Sequence, residues 1–285
     1  MKIGSAEHKE RFCTEFIAGH RRFDPATLSW PDLDPAALQR LHSIPFWQEV
    51  LYTERRAGAI VAAYSRTITD PLVREAVCLQ GFEEARHAEL VRVMIQRYGI
   101  AAEERSLDEV QGADLRRAFA DFGYGECLDS FLGFGVFKIA RRSSFLPEPL
   151  FEIFDMLMRE ETRHIVFFVN WMAWQEVASG CGARWLRGLI AAYYYCRAIG
   201  RLLGTVRRGR QAHDGKDFSA TQASVFLEGF TLRGLIQECC AEHERRMREF
   251  DPDLLQPRFL PRLAGVALST LRFNNGARVV RDERA

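Results

Sequence analysis

Lysine is nearly absent from this sequence: four Lys stand against 35 Arg among 285 residues. The basic total of 39 meets 38 Asp and Glu, so the net charge is only +1. The basic excess of a dedicated nucleic-acid binder is therefore missing, and the Arg bias reads first as codon usage. Long apolar runs are missing too. The stretches around 131–137 and 165–174 are interrupted or fall short of the roughly 18 residues that a membrane-spanning helix needs. The first ten residues carry no apolar segment of the signal-peptide kind. No C-x-x-C pair occurs. The seven cysteines (Cys13, Cys78, Cys127, Cys181, Cys196, Cys239 and Cys240) are irregularly spaced and odd in number. That argues against a disulfide framework or zinc site and for reduced, buried thiols in a cytoplasmic protein. Strand-like alternation of useful length is also lacking. What remains is 47% hydrophobic and 27% charged residues, enough to build a core without staples.

The pattern is helical. Residues 1–44 read as an irregular N-terminal arm, with Pro25, Pro31 and Pro35 in a polar stretch. Asp34-Pro35 is an N-cap with Pro at the first helical position, and Asp70-Pro71 repeats that signal. The expected long helices cover about 45–66, 71–98, 113–144 and 147–179, then 183–206 and 219–249. Arg207–Asp217, rich in Arg and Gly, reads as a loop. The expected organisation is one domain: the arm, a four-helix bundle over 45–180, and a helical extension over 181–285 packed on it.

Within the bundle two pentads nearly repeat: Glu83-Glu84-Ala85-Arg86-His87 and Glu160-Glu161-Thr162-Arg163-His164. At this composition roughly 0.006 E-E-x-R-H pentads are expected by chance, so a pair is a signal. Each Glu-x-x-His places a carboxylate and an imidazole on one helix face, a ligand set suited to iron or manganese. Glu54 lies 30 residues before Glu84 and Glu126 lies 35 before Glu161. Both spacings fit a helix running out and a partner returning to the same level. These residues share the apolar stripes of their helices, where a carboxylate is costly unless paired or bound to a cation.

The set Glu54, Glu84-x-x-His87, Glu126, Glu161-x-x-His164 resembles the ferritin-like di-iron carboxylate superfamily, in which two helices give one Glu each and two give a Glu-x-x-His. The resemblance implies an all-α ferritin-like four-helix bundle with additional C-terminal helices. It also implies two Fe ions (or Fe and Mn) held by those six residues. The E-E-x-R-H form most resembles hydroxylase subunits of bacterial multicomponent monooxygenases and ribonucleotide reductase small subunits. By that likeness Glu83, Glu160, Arg86 and Arg163 support the ligands, and Ser130, one turn after Glu126, stands where those monooxygenases carry a hydroxyl near the oxygen-binding side.

Departures narrow the likeness. Val91 stands where ribonucleotide reductases carry a radical Tyr, and Arg56 and Asp121 where ligand-binding oxidases carry cross-linking Val and Tyr. Leu157 replaces the extra His of the N-oxygenases, and the rubredoxin cysteines of rubrerythrins are missing. Glu49 competes with Glu54, but Glu54 keeps apolar neighbours in phase. Gly133 with Phe131, Phe134 and Phe137 reads as a channel wall or as core. Glu238, Glu242 and His243 read as a solvated or oligomer-contact face, and Tyr193-Tyr194-Tyr195 as core and interface. The functional expectation is an oxygen-activating oxidoreductase acting on a small, largely apolar substrate, with O2 as co-substrate. An external reductase or ferredoxin would supply electrons, and a homodimer is possible. The alternative is a metal-handling ferroxidase or a structural protein.

Overall fold

The Asp-Pro signals open helices as the sequence predicts. The Asp70 carboxylate accepts from the backbone N–H groups of Leu72 and Val73 at 3.1 Å, and Asp34 accepts from Ala37 at 2.7 Å. Each satisfies donors that a helix start leaves unpaired. The computed structural model describes residues 1–107, 114–212 and 231–269, and these form helices joined by short connections. In chain order they are α1 (Ala6–Ala18), a 3₁₀ turn (Pro25–Thr27), α2 (Pro35–His42), α3 (Trp47–Ser65), α4 (Pro71–Arg97), α5 (Leu115–Arg142), α6 (Glu148–Ala178), α7 (Arg184–Ala212), α8 (Leu232–Met247) and α9 (residues 259–269). Among the described residues there is no strand.

α3 pairs with α4, α5 with α6, and the two pairs meet through α3–α5 and α4–α6. These four helices are the expected bundle. α7 and α8 pack on the outside of α5. Two apolar clusters fill the interior. One gathers Val61, Tyr64, Val73, Val77, Phe119, Phe168 and Trp171. The other gathers Trp47, Leu51, Leu90, Met94, Leu150 and Phe151. On α3, α4 and α6 the candidate ligands fall between these clusters, so the site is a polar layer inside an apolar bundle.

Three expectations are corrected. Residues 1–44 are not an irregular arm. α1 is a capped helix lying on α4 and α6, with Phe12 and Phe16 packed on Phe167 at ring-centroid distances of 5.6 and 4.7 Å. His8 Nε2 meets Asn170 Oδ1 at 2.9 Å, fixing α1 on α6. The mixed Arg and Glu of α1 hid its buried stripe. Second, α7 continues to Ala212, into the stretch read as a loop; the rest of that stretch, and residues 219–230 of the expected sixth helix, lie outside the described residues. Third, Glu242 and His243 are buried rather than solvated. Glu242 accepts from Arg246, which also donates to Asp155 at 2.7 Å, so the charges neutralise one another beneath the helix. Glu238 does pair at the surface, with Arg142.

The Tyr triplet splits by helix phase. Tyr195 stacks on Phe259, Tyr194 stacks on Tyr124, and Tyr193 is exposed. Phe131 and Phe134 pack in the core against His243. All seven cysteines are unbridged, with Cys13, Cys127 and Cys239 buried but Cys78 and Cys196 exposed. No helix among the described residues is long and apolar enough to cross a membrane.

Two helical glycines are set by close approach. A Cβ on Gly135 would meet the Cys239 Sγ at 2.3 Å and its backbone nitrogen at 2.8 Å, so α8 crosses directly over this position. A Cβ on Gly123 would lie 2.2 Å from the Phe168 ring. Overpacking of this kind typically costs about 1–3 kcal/mol, more than the helix propensity that Ala adds. Gly123→Ala should therefore lower the thermal unfolding midpoint, and Phe168→Leu in the same chain should recover part of the loss. A midpoint equal to or above that of the unchanged chain would show that the ring moves aside freely.

Candidate metal centre

The two pentads sit at the same level of α4 and α6 and face each other. Glu84, His87 and His164 are essentially inaccessible, and Glu126 and Glu161 are each 8% exposed. Glu54, from α3, is the most open, with its side chain 16% exposed. Glu49, the competing candidate, is at the surface, paired with Arg105. The structure thus brings all six expected ligands to one place, with Glu84, His87, Glu161 and His164 close enough to share an ion.

The contacts cross between the helices. His87 Nδ1 lies 3.0 Å from Glu161 Oε1 on the opposite helix and 4.0 Å from Glu84 on its own. His164 Nδ1 lies 3.0 Å from Glu84 and 3.9 Å from Glu161. Glu84 and Glu161 therefore stand between the two imidazoles. Glu54 closes the His87 end at 3.6 Å, and Glu126 closes the His164 end at 3.1 Å.

Beneath the ligands lies a second crossed set. His164 Nε2–H donates to Glu83 at 2.9 Å, and His87 Nε2–H donates to Glu160 at 3.0 Å. Each carboxylate is in turn held by the other pentad's arginine: Arg163 donates to Glu83 at 3.0 Å, and Arg86 donates to Glu160. With Nε2 so engaged, both Nδ1 atoms face into the cluster.

This donor set fits two cations. Both Nδ1 atoms and Glu126 Oε1 are buried without a hydrogen-bond partner. Nitrogen–oxygen separations near 3.0 Å match the edge of a coordination polyhedron with bonds of about 2.1 Å. Charge gives the same count. Glu83 and Glu160 are balanced by Arg163 and Arg86, which leaves four carboxylates whose charge two divalent ions would match.

In the protein without ions, protons hold the cluster together. Burial, with the charge of Glu161 and Glu84, outweighs the His87 hydrogen bond and pushes Glu54 up to about 7. Burial and the charge of Glu84 push Glu126 well up. Burial disfavours a charged His87, yet the nearby carboxylates of Glu160, Glu161 and Glu54 outweigh that and raise it. His164 rises likewise against burial, through the negative charge of Glu84, Glu126 and Glu83 around it. Glu83 goes the other way: burial is overcome by His164, Arg163 and His20, and it stays ionised far below the usual carboxylate range.

Some participants were not read from the sequence. His20, just past α1, donates from Nδ1 to Glu83 at 2.6 Å. The carbonyls of Phe16 and Arg21 accept from Arg163 and Arg86, so the α1 segment clamps the outer layer of the centre. No motif marks these residues; they follow from α1, which was itself missed. Gln80, one turn before Glu84, points its Nε2 to Glu84 and Glu126 at 3.5 and 3.4 Å. Its place in the apolar stripe of α4 was the available signal. Ser130 is buried on α5 one turn beyond Glu126.

Among curated proteins, the chain is similar to magnesium-protoporphyrin IX monomethyl ester [oxidative] cyclase 2 of Synechocystis sp. (strain ATCC 27184 / PCC 6803 / Kazusa). The two are 34% identical over 108 residues, 36% of this chain and 30% of the cyclase. The chain thus covers about a third of the length of that relative. No family model matches, and no solved structure matches. The distant homology and the buried carboxylate–histidine cluster built from two E-x-x-H motifs together support the resemblance to the ferritin-like di-iron carboxylate proteins.

Two outcomes follow. Anaerobic loading should give about two irons per chain by elemental analysis, and Glu83→Ala or Glu160→Ala should weaken metal affinity roughly 10- to 100-fold with helicity unchanged. Wild-type affinity in both variants would reduce these carboxylates to structural groups. Loading should also release protons, because Glu54 must ionise and both imidazoles must give up the Nδ1 proton. Affinity should then fall as pH drops below about 7; calorimetric titrations in buffers of different ionisation enthalpy count the protons released. An affinity independent of pH between 6 and 8 would contradict the raised values.

Proposed function

We propose that this di-iron-type centre serves an oxygen-activating oxidoreductase that oxidises a small, largely apolar organic molecule. The observation that carries the reading is the pair of buried, unpartnered Nδ1 atoms facing four carboxylates inside an apolar bundle. The cyclase to which part of the chain is similar is named for an oxidative reaction on an organic ester, which favours oxidation of a substrate over storage of iron. Bound iron would supply the redox chemistry toward O2.

The chain's own residues set the conditions. Glu83 and Glu160 keep each imidazole in one tautomer and orientation. Arg163 and Arg86 pair with those carboxylates and hold them in place against the imidazole Nε2 atoms. Phe16, whose ring lies 5.9 Å from that of His164, and the two apolar clusters keep the layer dry. Ser130 offers a hydroxyl one turn from Glu126 that can pass a proton toward oxygen as it is reduced. A separate reductase or ferredoxin would supply the electrons.

Oxygen uptake by the iron-loaded, reduced protein tests the reading. Uptake that rises with substrate-containing extract, with iron content fixed near two per chain, supports it. Uptake driven by ferrous iron alone, with many irons retained, would make the protein a ferroxidase. Ser130→Ala isolates the relay: it should keep two metals and slow or uncouple O2 use by about 10²- to 10⁴-fold, less where water substitutes, with peroxide released in place of product. Unchanged coupling in Ser130→Ala would assign that residue to packing.

A further inference from the structure

α7 turns its inner side to α5 and leaves an outer side of unusual composition. Its Tyr195 is buried against Phe259 at the start of α9, so α7 and α9 are neighbours. On the outer side, Trp185 is 69% exposed, Leu189 60% and Leu203 55%. With Cys196, also exposed, they fall within about 40° of one another around the helix axis. α9 adds Leu263 and Val266, 49% and 61% exposed. With Tyr193 and Leu202 of α7, seven of the eleven large exposed hydrophobic side chains among the described residues thus belong to two adjacent helices. A soluble monomer rarely leaves such a patch without a use.

The charge on these helices points one way. α7 contains seven Arg and no Asp or Glu, and α9 contains Arg262 and no acidic residue. In a chain whose net charge is +1, this is a local concentration. Arg184 on α7, Arg262 on α9 and Arg258 just before α9 are exposed. Arg197 and Arg201 share the single carboxylate of Asp121 on α5, which leaves one positive charge over, and they line a surface cleft with Gly200 and Gly204.

We infer that the α7–α9 face docks on an anionic lipid surface, with Trp185, Leu189, Leu203, Leu263 and Val266 entering the headgroup layer and the arginines meeting lipid phosphates. Trp and Leu on one side of a helix with arginine along its flanks is the pattern of a helix that lies in the membrane interface. The arginine stems reach past the apolar stripe to the headgroups. A second copy of this chain is the weaker occupant, because it would set a helix of seven Arg against its own like. No spanning helix is required, in keeping with the absence of one among the described residues. An apolar substrate drawn from a bilayer would arrive on the α5 side of the bundle, where α7 packs.

Flotation of the full chain tests this, with phosphatidylcholine vesicles made with and without about 30% phosphatidylglycerol. The chain should float with the anionic vesicles only, and less as salt rises from about 0.1 to 0.5 M. Leu189→Glu with Leu203→Glu should lower partitioning at least tenfold. Leu232→Glu, at an exposed leucine on α8, should leave it unchanged. Arg184→Glu with Arg262→Glu should cost roughly fivefold or more per residue. Helicity by circular dichroism confirms that each variant folds, and Trp185→Phe should remove the blue shift in fluorescence seen on vesicle addition. Failure of the unchanged chain to float with anionic vesicles overturns the inference, as does equal partitioning of the Leu189/Leu203 variant. A dimer that this double variant splits, with no flotation, would make the face a contact between copies. Binding is read without iron or O2, so an inactive chain that floats keeps the surface, and an active chain that does not float removes the surface alone.

Discussion

Four carboxylates and two imidazoles in one buried layer are the constraint around which this bundle is organised. Unpaired, such groups would cost more than a domain's entire margin of stability. The chain divides the problem into two shells. The outer carboxylates, Glu83 and Glu160, are neutralised within the protein by Arg163 and Arg86. The inner four are left for cations, or for protons when cations are absent, which is why Glu54 and Glu126 are raised while Glu83 is lowered. Protein cations thus serve the outer carboxylates, while the inner ones face one another and the two imidazoles.

The apolar clusters on either side of the layer have a matching task. They carry the burial that stabilises the fold, and they hold the layer between them. α1 joins the two tasks. Its phenylalanines extend the core onto α6, and the carbonyls just beyond it, with His20, close the outer shell. An N-terminal segment that looked peripheral is thereby part of the site's construction, and packing and site geometry are not separable there.

The legibility of the sequence follows from how local each signal is. The bundle helices were readable because Asp-Pro caps, Gly and Pro stops and long apolar stripes are local features. The clustering of these six residues was readable because Glu-x-x-His occurs twice and because Glu54 and Glu126 stand at hairpin spacing. The crossing of the two shells was not readable: which carboxylate holds which imidazole depends on the relative placement of α4 and α6. α1 was missed because its charged residues interrupt the stripe, and His20 and the clamping carbonyls went with it. Glu242 and His243 were misjudged for the same reason. A run of mixed charges looks solvated until a distant Asp155 is known to complete the pairing.

The repeated pentad has a consequence for how the bundle can be taken apart. One hairpin, α3 with α4, carries Glu54, Glu84 and His87, yet the carboxylate that steadies His87 is on α6. The other, α5 with α6, carries Glu126, Glu161 and His164, and the carboxylate that steadies His164 is on α4. Neither hairpin contains a finished half-site. Each presents the same surface to the other, residue for residue, in the way that two subunits of a twofold dimer do. The centre is in effect an isologous interface enclosed within a single polypeptide. Its departures from that symmetry, such as the hydrogen bond of His20 to Glu83, are what give the two ends different surroundings and so would allow two otherwise equivalent metals to differ.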